Sequence, residues 1–290
     1  SISIRSADSQ HIDLTIRREV PTTGFVACDT HVHTLTHSGH GDSSVRERML
    51  TLAGEAIELP IATDHNKHIS YDEIAAELDV DSHFTPVIGN EVTTKIGHFN
   101  VFPVASVDTL IPDYKADNWD DISKSIYTTP DVKIAILNHA RDIHSNFRPF
   151  DPKHHISVTG QNLDGWKLQA NAIEIINSGA QQTDMMTLVH DWMGLLNAGL
   201  QITPVGSSDS HDVARYIVGQ GRTYIRCDDG NPGRINVTDA VEAFVAGRVV
   251  VSCGLNADIR VNEQFGVGDT VPQSSHYRAE IDVKGPSWIE

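Results

Sequence analysis

The chain has 290 residues, and its 22 basic and 39 acidic side chains give a formal net charge of −17. This balance argues against a long nucleic acid as partner, because such binding needs Lys and Arg to neutralise phosphates. No apolar run approaches the roughly 20 residues of a membrane span, and the three cysteines (Cys28, Cys227 and Cys253) are too few for a disulfide framework. Histidine, usually a scarce residue, occurs 16 times, which favours a metal site because imidazole is the commonest metal ligand.

Short β-type runs alternate with helix-type segments between residues 25 and 254, the pattern of βα units around a largely parallel sheet. Strands are predicted at residues 25–29, 59–64, 86–91, 99–102, 133–138, 172–176, 203–206, 223–226 and 249–252. Helices are predicted at residues 43–57, where Ser43 or Ser44 can cap, and at 71–78, 181–198 and 237–245. A long loop is predicted at residues 141–165.

This order favours a distorted α/β barrel of about seven strands over a doubly wound sheet, because no glycine-rich dinucleotide turn follows the first strand. We expect a barrel domain at residues 25–254, with small β-rich appendages at residues 1–24 and 255–290. An alternating run at residues 277–283 predicts a strand in the second appendage. The chain begins without Met and stops soon after this run, so we expect it to be part of a longer protein.

Histidine and carboxylate side chains follow five of the predicted strands. They are Asp29, His31 and His33; Asp64 and His65; Glu91 with His98 seven residues later; His139; and Asp209 with His211. The carboxyl ends of the strands are the face where α/β barrels assemble active sites. Residues i and i+2 of a strand point the same way, so Asp29, His31 and His33 can share one face, as can Asp209 and His211. Charged groups are rarely buried unless they are paired or metal-bound, and the clustering therefore predicts a metal site.

The chain resembles the PHP (polymerase and histidinol phosphatase) superfamily in five motifs that occur in the family's order. They are Asp29-Thr30-His31-Val32-His33, Thr63-Asp64-His65-Asn66, Glu91…His98, Asn138-His139-Ala140 and Ser208-Asp209-Ser210-His211. The stretch from residue 31 to 66 is most similar to the branch named after the carbamate-hydrolysing enzymes CehA and McbA. The resemblance implies a distorted seven-stranded (β/α) barrel with two or three divalent metal ions, zinc, manganese or iron.

The resemblance also implies a ligand set. It assigns a first metal to His31, His33, Glu91 and Asp209, a second to Glu91, His98 and His139, and a third to His65 and His211. Glu91, with two carboxylate oxygens, bridges the first two. The third metal takes one more ligand from the loop after His33, where His37, His40 and Asp42 compete. We favour Asp42.

The function implied is a metal-dependent hydrolase that attacks an ester-type bond of a small molecule with a metal-bound hydroxide. The superfamily suggests a phosphomonoester or phosphodiester, and the closer branch suggests a carbamate or aryl ester. Arg141 is the first candidate for stabilising oxyanion charge, and Arg148 is the second. The alternative role for Arg141 is an ordinary salt bridge in the loop. Asp64 is a candidate for orienting water or a ligand imidazole. Four further candidates are His68 and His144 as proton donors, and Glu174 and Asn177 as pocket lining or merely the end of a strand.

Two other classes of protein could contain such a histidine cluster. An amidohydrolase barrel also begins with a His-x-His strand, but here no lysine follows a strand to form a carbamylated bridge, since Lys133 lies at the wrong end. A non-catalytic, metal-stabilised module of a larger parent would be expected to have lost ligands. The nearly full ligand set favours an enzyme.

Overall fold

A computed structural model describes residues 9, 11, 13, 15, 17–143, 146–287 and 289. Their strands are β1 (Phe25–Val32), β2 (Leu59–Ala62), β3 (Val87–Ile88), β4 (Asn90–Thr94), β5 (Gly97–Phe102), β6 (Ile134–Leu137), β7 (His155–Ile156), β8 (Gln161–Asn162), β9 (Ala172–Asn177), β10 (Thr203–Ser207), β11 (Arg222–Arg226), β12 (Val249–Ser252), β13 (Asn256–Val261) and β14 (Ala279–Lys284). Their α-helices are α1 (Leu35–Ser38), α2 (Val45–Gly54), α3 (Asp72–Glu77), α4 (Trp119–Thr128), α5 (Met185–Asn197) and α6 (Val237–Val245).

Two five-stranded mixed sheets form the body of the protein, in the orders β12-β11-β1-β2-β3 and β10-β9-β6-β5-β4. The pairs β1–β2, β2–β3, β6–β9 and β9–β10 are parallel, and the other pairs are antiparallel. Single parallel bridges, Val32–Ser210 and His65–Glu91, join the two sheets where the candidate ligands lie. The predicted mixed α/β class is confirmed, whereas a closed seven-stranded sheet is not shown among the residues described.

The helices begin where side chains can satisfy the free backbone N–H groups of the first turn. Ser44 caps α2 and forms a reciprocal capping box with Glu47. The helix α4, which the sequence interpretation omitted, begins at Asn118, whose side chain accepts the N–H of Asp121. Its buried residues, Trp119, Ile122, Ser123 and Ile126, follow the helical period and three of them pack into the core of the second sheet.

The predicted appendages differ in how far the structure describes them. At the carboxyl end, β13 and β14 pair antiparallel from Asn256–Lys284 to Val261–Ala279, which agrees with the strand predicted near residues 277–283. At the amino end, described residues 17–24 contain no strand, and most of the preceding ones lie outside the described part. The domain boundaries stay predictions. None of the described helices is both long and apolar enough to cross a membrane.

Candidate metal centre

All the predicted metal ligands except Asp42 converge at the junction of the two sheets. His31 is the last residue but one of strand β1, and the centroid of its ring lies 4.9 Å from that of His33 and 5.7 Å from that of His139. The rings of His33 and His211 stack at 4.1 Å. His98 lies at the start of β5 and does not follow a strand. It reaches the cluster because β5 runs antiparallel to β6, so that the start of β5 lies beside the end of β6.

Glu91 lies at the middle of this cluster and is 1 % exposed. Its Oε1 lies 3.1 Å from Nδ1 of His98, 3.2 Å from Nε2 of His31 and 3.5 Å from Nε2 of His139. Its Oε2 contacts Nδ1 of His65 and lies 3.7 Å from Nε2 of His33. The two oxygens of this one carboxylate therefore face five imidazoles between them, so the side chain can contribute to more than one group of ligands.

Four groups of three side chains each bring their ligand atoms within 4.8 Å of one another. They are His31, His33 and Glu91; Glu91, His98 and His139; His33, His65 and His211; and His31, His139 and Glu174. Asp209 completes the first group, because its Oδ1 lies 3.3 Å from Nε2 of His31 and 3.2 Å from Nε2 of His33.

The hydrogen bonds of three histidines leave a ring nitrogen lone pair for a metal. Nδ1 of His31 contacts Glu174 at 2.7 Å, Nδ1 of His33 contacts Ser38 at 3.1 Å, and Nδ1 of His211 contacts the carbonyl of Asp209 at 3.0 Å. When these Nδ1–H groups donate, each Nε2 carries a lone pair. These Nε2 atoms, and Oδ1 of Asp209, are buried without a hydrogen-bond partner. Buried polar atoms without partners are costly, and a set of imidazole nitrogens and carboxylate oxygens fits zinc, manganese or iron.

The electrostatics of the cluster keep its two carboxylates ionised and act on its histidines in different directions. Burial opposes the charge of Glu91, but His98, His31 and His65 outweigh burial and hold the pKa of this carboxyl well below its usual range. Burial likewise opposes the charge of Asp209, and His31 and His33 lower its pKa. Burial, reinforced by His211, lowers the pKa of His33. Burial also opposes the charge of His31, His65 and His139, but neighbouring carboxylates, Glu91 among them, outweigh burial and raise the pKa of all three. Binding of a cation would therefore displace protons from these imidazoles, because a metal ligand must be deprotonated.

The loop after His33 places His40, and not Asp42, beside the third group. The ring of His40 stacks on His65 with centroids 5.0 Å apart and lies 4.4 Å from the ring of His211. The carboxylate of Asp42 is instead an acceptor for the N–H of Val213, at 2.7 Å. The loop approaches His211 closely because Gly41 has φ of +82°, and a Cβ at this position would lie 2.3 Å from the carbonyl oxygen of His211.

The two predicted catalytic residues both have structural partners. Arg141 forms a bidentate pair with Asp191 of α5, with Nε–Oδ2 and Nη2–Oδ1 distances of 2.7 Å. Asp64 is fully buried, and its Oδ1 accepts the N–H and hydroxyl of Thr34 and the hydroxyl of Ser38. Because Ser38 also contacts Nδ1 of His33, Asp64 reaches a candidate ligand through one hydroxyl.

The remaining candidates are less directly placed. Nδ1 of His68 lies 3.1 Å from the carbonyl oxygen of Thr109, and this histidine is buried. His144 lies outside the described residues. The sequence interpretation did not identify Ser38 or Thr93, whose hydroxyls contact His33 and His65. No sequence signal marks them, because serine and threonine are common in loops and strands.

No protein-family model matches the chain, and no curated protein matches it. Among solved structures, the chain is similar to a two-domain protein from Bacteroides vulgatus that contains a predicted PHP-like metal-dependent phosphoesterase. The TM-score is 0.56 and the identity 14 %, over 95 % of this chain and 92 % of the other. The fold is PHP-like. At this identity the similarity concerns the fold alone, and membership of the superfamily and of its CehA/McbA branch stays a prediction.

Proposed function

We propose that the chain is a metal-dependent hydrolase of small-molecule ester-type bonds, with phosphomonoesters or phosphodiesters as its substrate class. The observation that carries the proposal is the buried carboxylate of Glu91, whose oxygens lie within 3.7 Å of ring nitrogens of four buried histidines, His31, His33, His98 and His139. A carboxylate shared in this way suits two neighbouring cations, and two-metal sites commonly serve phosphoryl and acyl hydrolysis. The PHP-like fold adds support at the level of architecture.

The side chains of the cluster would divide the work of holding cations. We assign His31, His33, Glu91 and Asp209 to a first cation, Glu91, His98 and His139 to a second, and His65 and His211 with His40 to a third. Divalent cations held by these residues would supply Lewis acidity, which would lower the pKa of water and polarise the oxygen of a P=O or C=O group.

Other residues would support these ligands. Asp64 holds the hydroxyl of Ser38, and this hydroxyl accepts the Nδ1–H of His33 and so keeps its Nε2 directed at the cluster. Arg141 stabilises the fold through Asp191, and its contact with the charge of a substrate stays a prediction. We also propose that the bridges Val32–Ser210 and His65–Glu91 bring the two sheets together as an incompletely closed barrel. Its seven strands would be β1, β2, β4, β5, β6, β9 and β10.

The test is metal analysis of the purified chain, followed by hydrolysis assays. Two or three equivalents of zinc, manganese or iron are expected, together with turnover of p-nitrophenyl phosphate or bis(p-nitrophenyl) phosphate that stops with chelator and returns with metal. Turnover restricted to an aryl acetate or aryl N-methylcarbamate would replace the phosphoester proposal with the carbamate or aryl-ester alternative. Bound metal without any turnover would favour a metal-stabilised module, and no metal after reconstitution would contradict the proposal.

Replacing His40 should remove one cation, and replacing Asp42 should not. In His40→Ala the ring beside His65 and His211 is lost, so we expect one equivalent of metal fewer per chain. Asp42→Asn is the matched control, because an amide oxygen can still accept the N–H of Val213. Elemental analysis of both variants after dialysis decides the assignment. Loss of metal in Asp42→Asn alone would restore Asp42 as the ligand.

A further inference from the structure

Glu174 is a fully buried carboxylate in the apolar strand β9, beside the candidate ligands. Its oxygens lie near nitrogen atoms of His31 and His139, so distance alone would allow it to bind a metal. Burial of an ionised carboxylate is costly unless hydrogen bonds replace the lost water. The partners of its two oxygens therefore decide what this side chain does.

Both oxygens of Glu174 are fully used by donors from the protein. Oε1 contacts Nδ1 of His31 at 2.7 Å and accepts the hydroxyl of Ser207 at 2.5 Å. Oε2 accepts the backbone N–H of His139 at 2.7 Å and the side-chain amide of Asn177 at 2.9 Å. A carboxylate has about four lone-pair sites, and these four contacts occupy them. Glu174 is therefore not a metal ligand in this arrangement.

The orientation of Asn177 is also determined. Its Oδ1 accepts the backbone N–H groups of Gly179 and Ala180, at 3.2 and 2.8 Å, so its Nδ2 must donate. This Nδ2 reaches Glu174 and, at 3.3 Å, Oδ2 of Asp209. The network thus connects Glu174 with candidate ligands on three strand ends, those of β1, β6 and β10.

We propose that Glu174 is a positioning residue, which holds His31 with Nδ1 protonated so that the lone pair of Nε2 faces Glu91 and Asp209. Metal-binding histidines commonly donate their other N–H to a carboxylate, which fixes the ring and raises its basicity. The inference rests on the proposed function, because it concerns affinity for the cations of the same centre.

Glu174→Gln tests this role through the tautomer of His31. The backbone N–H of His139 can only donate, so the oxygen of the glutamine must remain there and its NH₂ must turn toward His31 and Ser207. The hydroxyl of Ser207 can rotate to accept a hydrogen bond from this NH₂ group. His31 can accept one only if its Nδ1 loses its proton and its Nε2 gains one. The lone pair that faces the metals is then lost.

The measurement is zinc affinity by competition with a fluorescent chelator. We expect Glu174→Gln to bind zinc about 10- to 100-fold more weakly than the unmodified chain. The matched control is Ser207→Ala, which removes a donor from the same oxygen but leaves His31 its acceptor, and it should lose less than about tenfold. Equal affinities of Glu174→Gln and the unmodified chain would overturn the inference.

A second measurement uses the unmodified chain and therefore does not depend on the folding of a variant. In the zinc-loaded, ¹⁵N-histidine-labelled protein, His31 should be ligated through Nε2 and show a protonated Nδ1, assigned by the signal missing from His31→Gln. Ligation of His31 through Nδ1 would overturn the inference. If the unmodified chain binds no zinc, both the inference on Glu174 and the proposed function fail. If it binds zinc but the results expected for Glu174 and His31 are not obtained, only the inference fails and the proposed function stands.

Discussion

Glu91→Ala is expected to lose at least one equivalent of bound metal and to hydrolyse substrate about 1000-fold more slowly or worse. The substitution removes both carboxylate oxygens of Glu91, which lie near ring nitrogens of His31, His33, His98 and His139. Lewis-acid catalysis supplies several kcal/mol of transition-state stabilisation, and about 1.4 kcal/mol corresponds to a factor of ten in rate. Metal content and kcat/KM on the best substrate of the panel are the measurements.

The control for this variant is another buried glutamate that lies away from the centre. Glu58 precedes β2 and is 1 % exposed. Its carboxylate accepts hydrogen bonds from the guanidinium of Arg18, at 2.6 Å, and from the backbone N–H of Ala27, at 2.8 Å. Glu58→Gln should lower stability because it weakens a charge-assisted contact, yet it should keep its metal and its rate per folded molecule. A Glu91→Ala protein with full metal content and normal turnover would refute the shared-carboxylate site.

Arg141→Met is expected to lower the free energy of unfolding by about 3 kcal/mol, near the low end for buried ion pairs. Its partner Asp191 is fully buried, and Nε2 of the neighbouring His155 lies 3.8 Å from its Oδ1, but burial lowers the pKa of this histidine and so disfavours its charged form. Loss of the guanidinium leaves that carboxylate without its bidentate partner. Urea unfolding at saturating metal measures the effect.

A surface ion pair is the matched control for this loss of stability. Arg46 and Glu77 are 2.8 Å apart with both side chains more than half exposed, so Arg46→Met should cost less than about 1 kcal/mol. The double variant Arg141→Met with Asp191→Met should recover most of the loss, since apolar replacement of a buried pair is often neutral. If Arg141 also contacts substrate charge, kcat should fall in Arg141→Met but not in Asp191→Asn. Unchanged stability of Arg141→Met would show that the pair contributes little.

Spacing along the chain was informative where local rules apply. The two-residue periodicity of a strand predicted that His31 and His33 share a face, and both reach one cluster. The cap at Ser44 predicted the start of α2, because a hydroxyl there can accept an N–H of the first turn. Glu174 in an apolar strand is predicted only to line the pocket or to end the strand, although a charge among buried residues already implies a partner.

Contacts between distant segments were beyond such rules. Three residues of one loop, His37, His40 and Asp42, competed as ligands and Asp42 was favoured, whereas their positions depend on how closely the loop packs against His211 at Gly41. The role of Arg141 depends on Asp191, fifty residues away on α5. The antiparallel entry of His98 also has no local signature, because sheet order is set by the packing of whole elements.

Residue type and order along the chain were therefore sufficient for the mixed α/β class and for a cluster of candidate metal ligands, since imidazoles and carboxylates after successive strands have few other uses. The partners of each ligand followed from the folded chain alone. Glu174 meets His31 across 143 residues, and Asp64 reaches His33 through Ser38. Hydrogen bonds of this kind depend on ångström-scale distances between segments, and those distances arise only when the sheets pack.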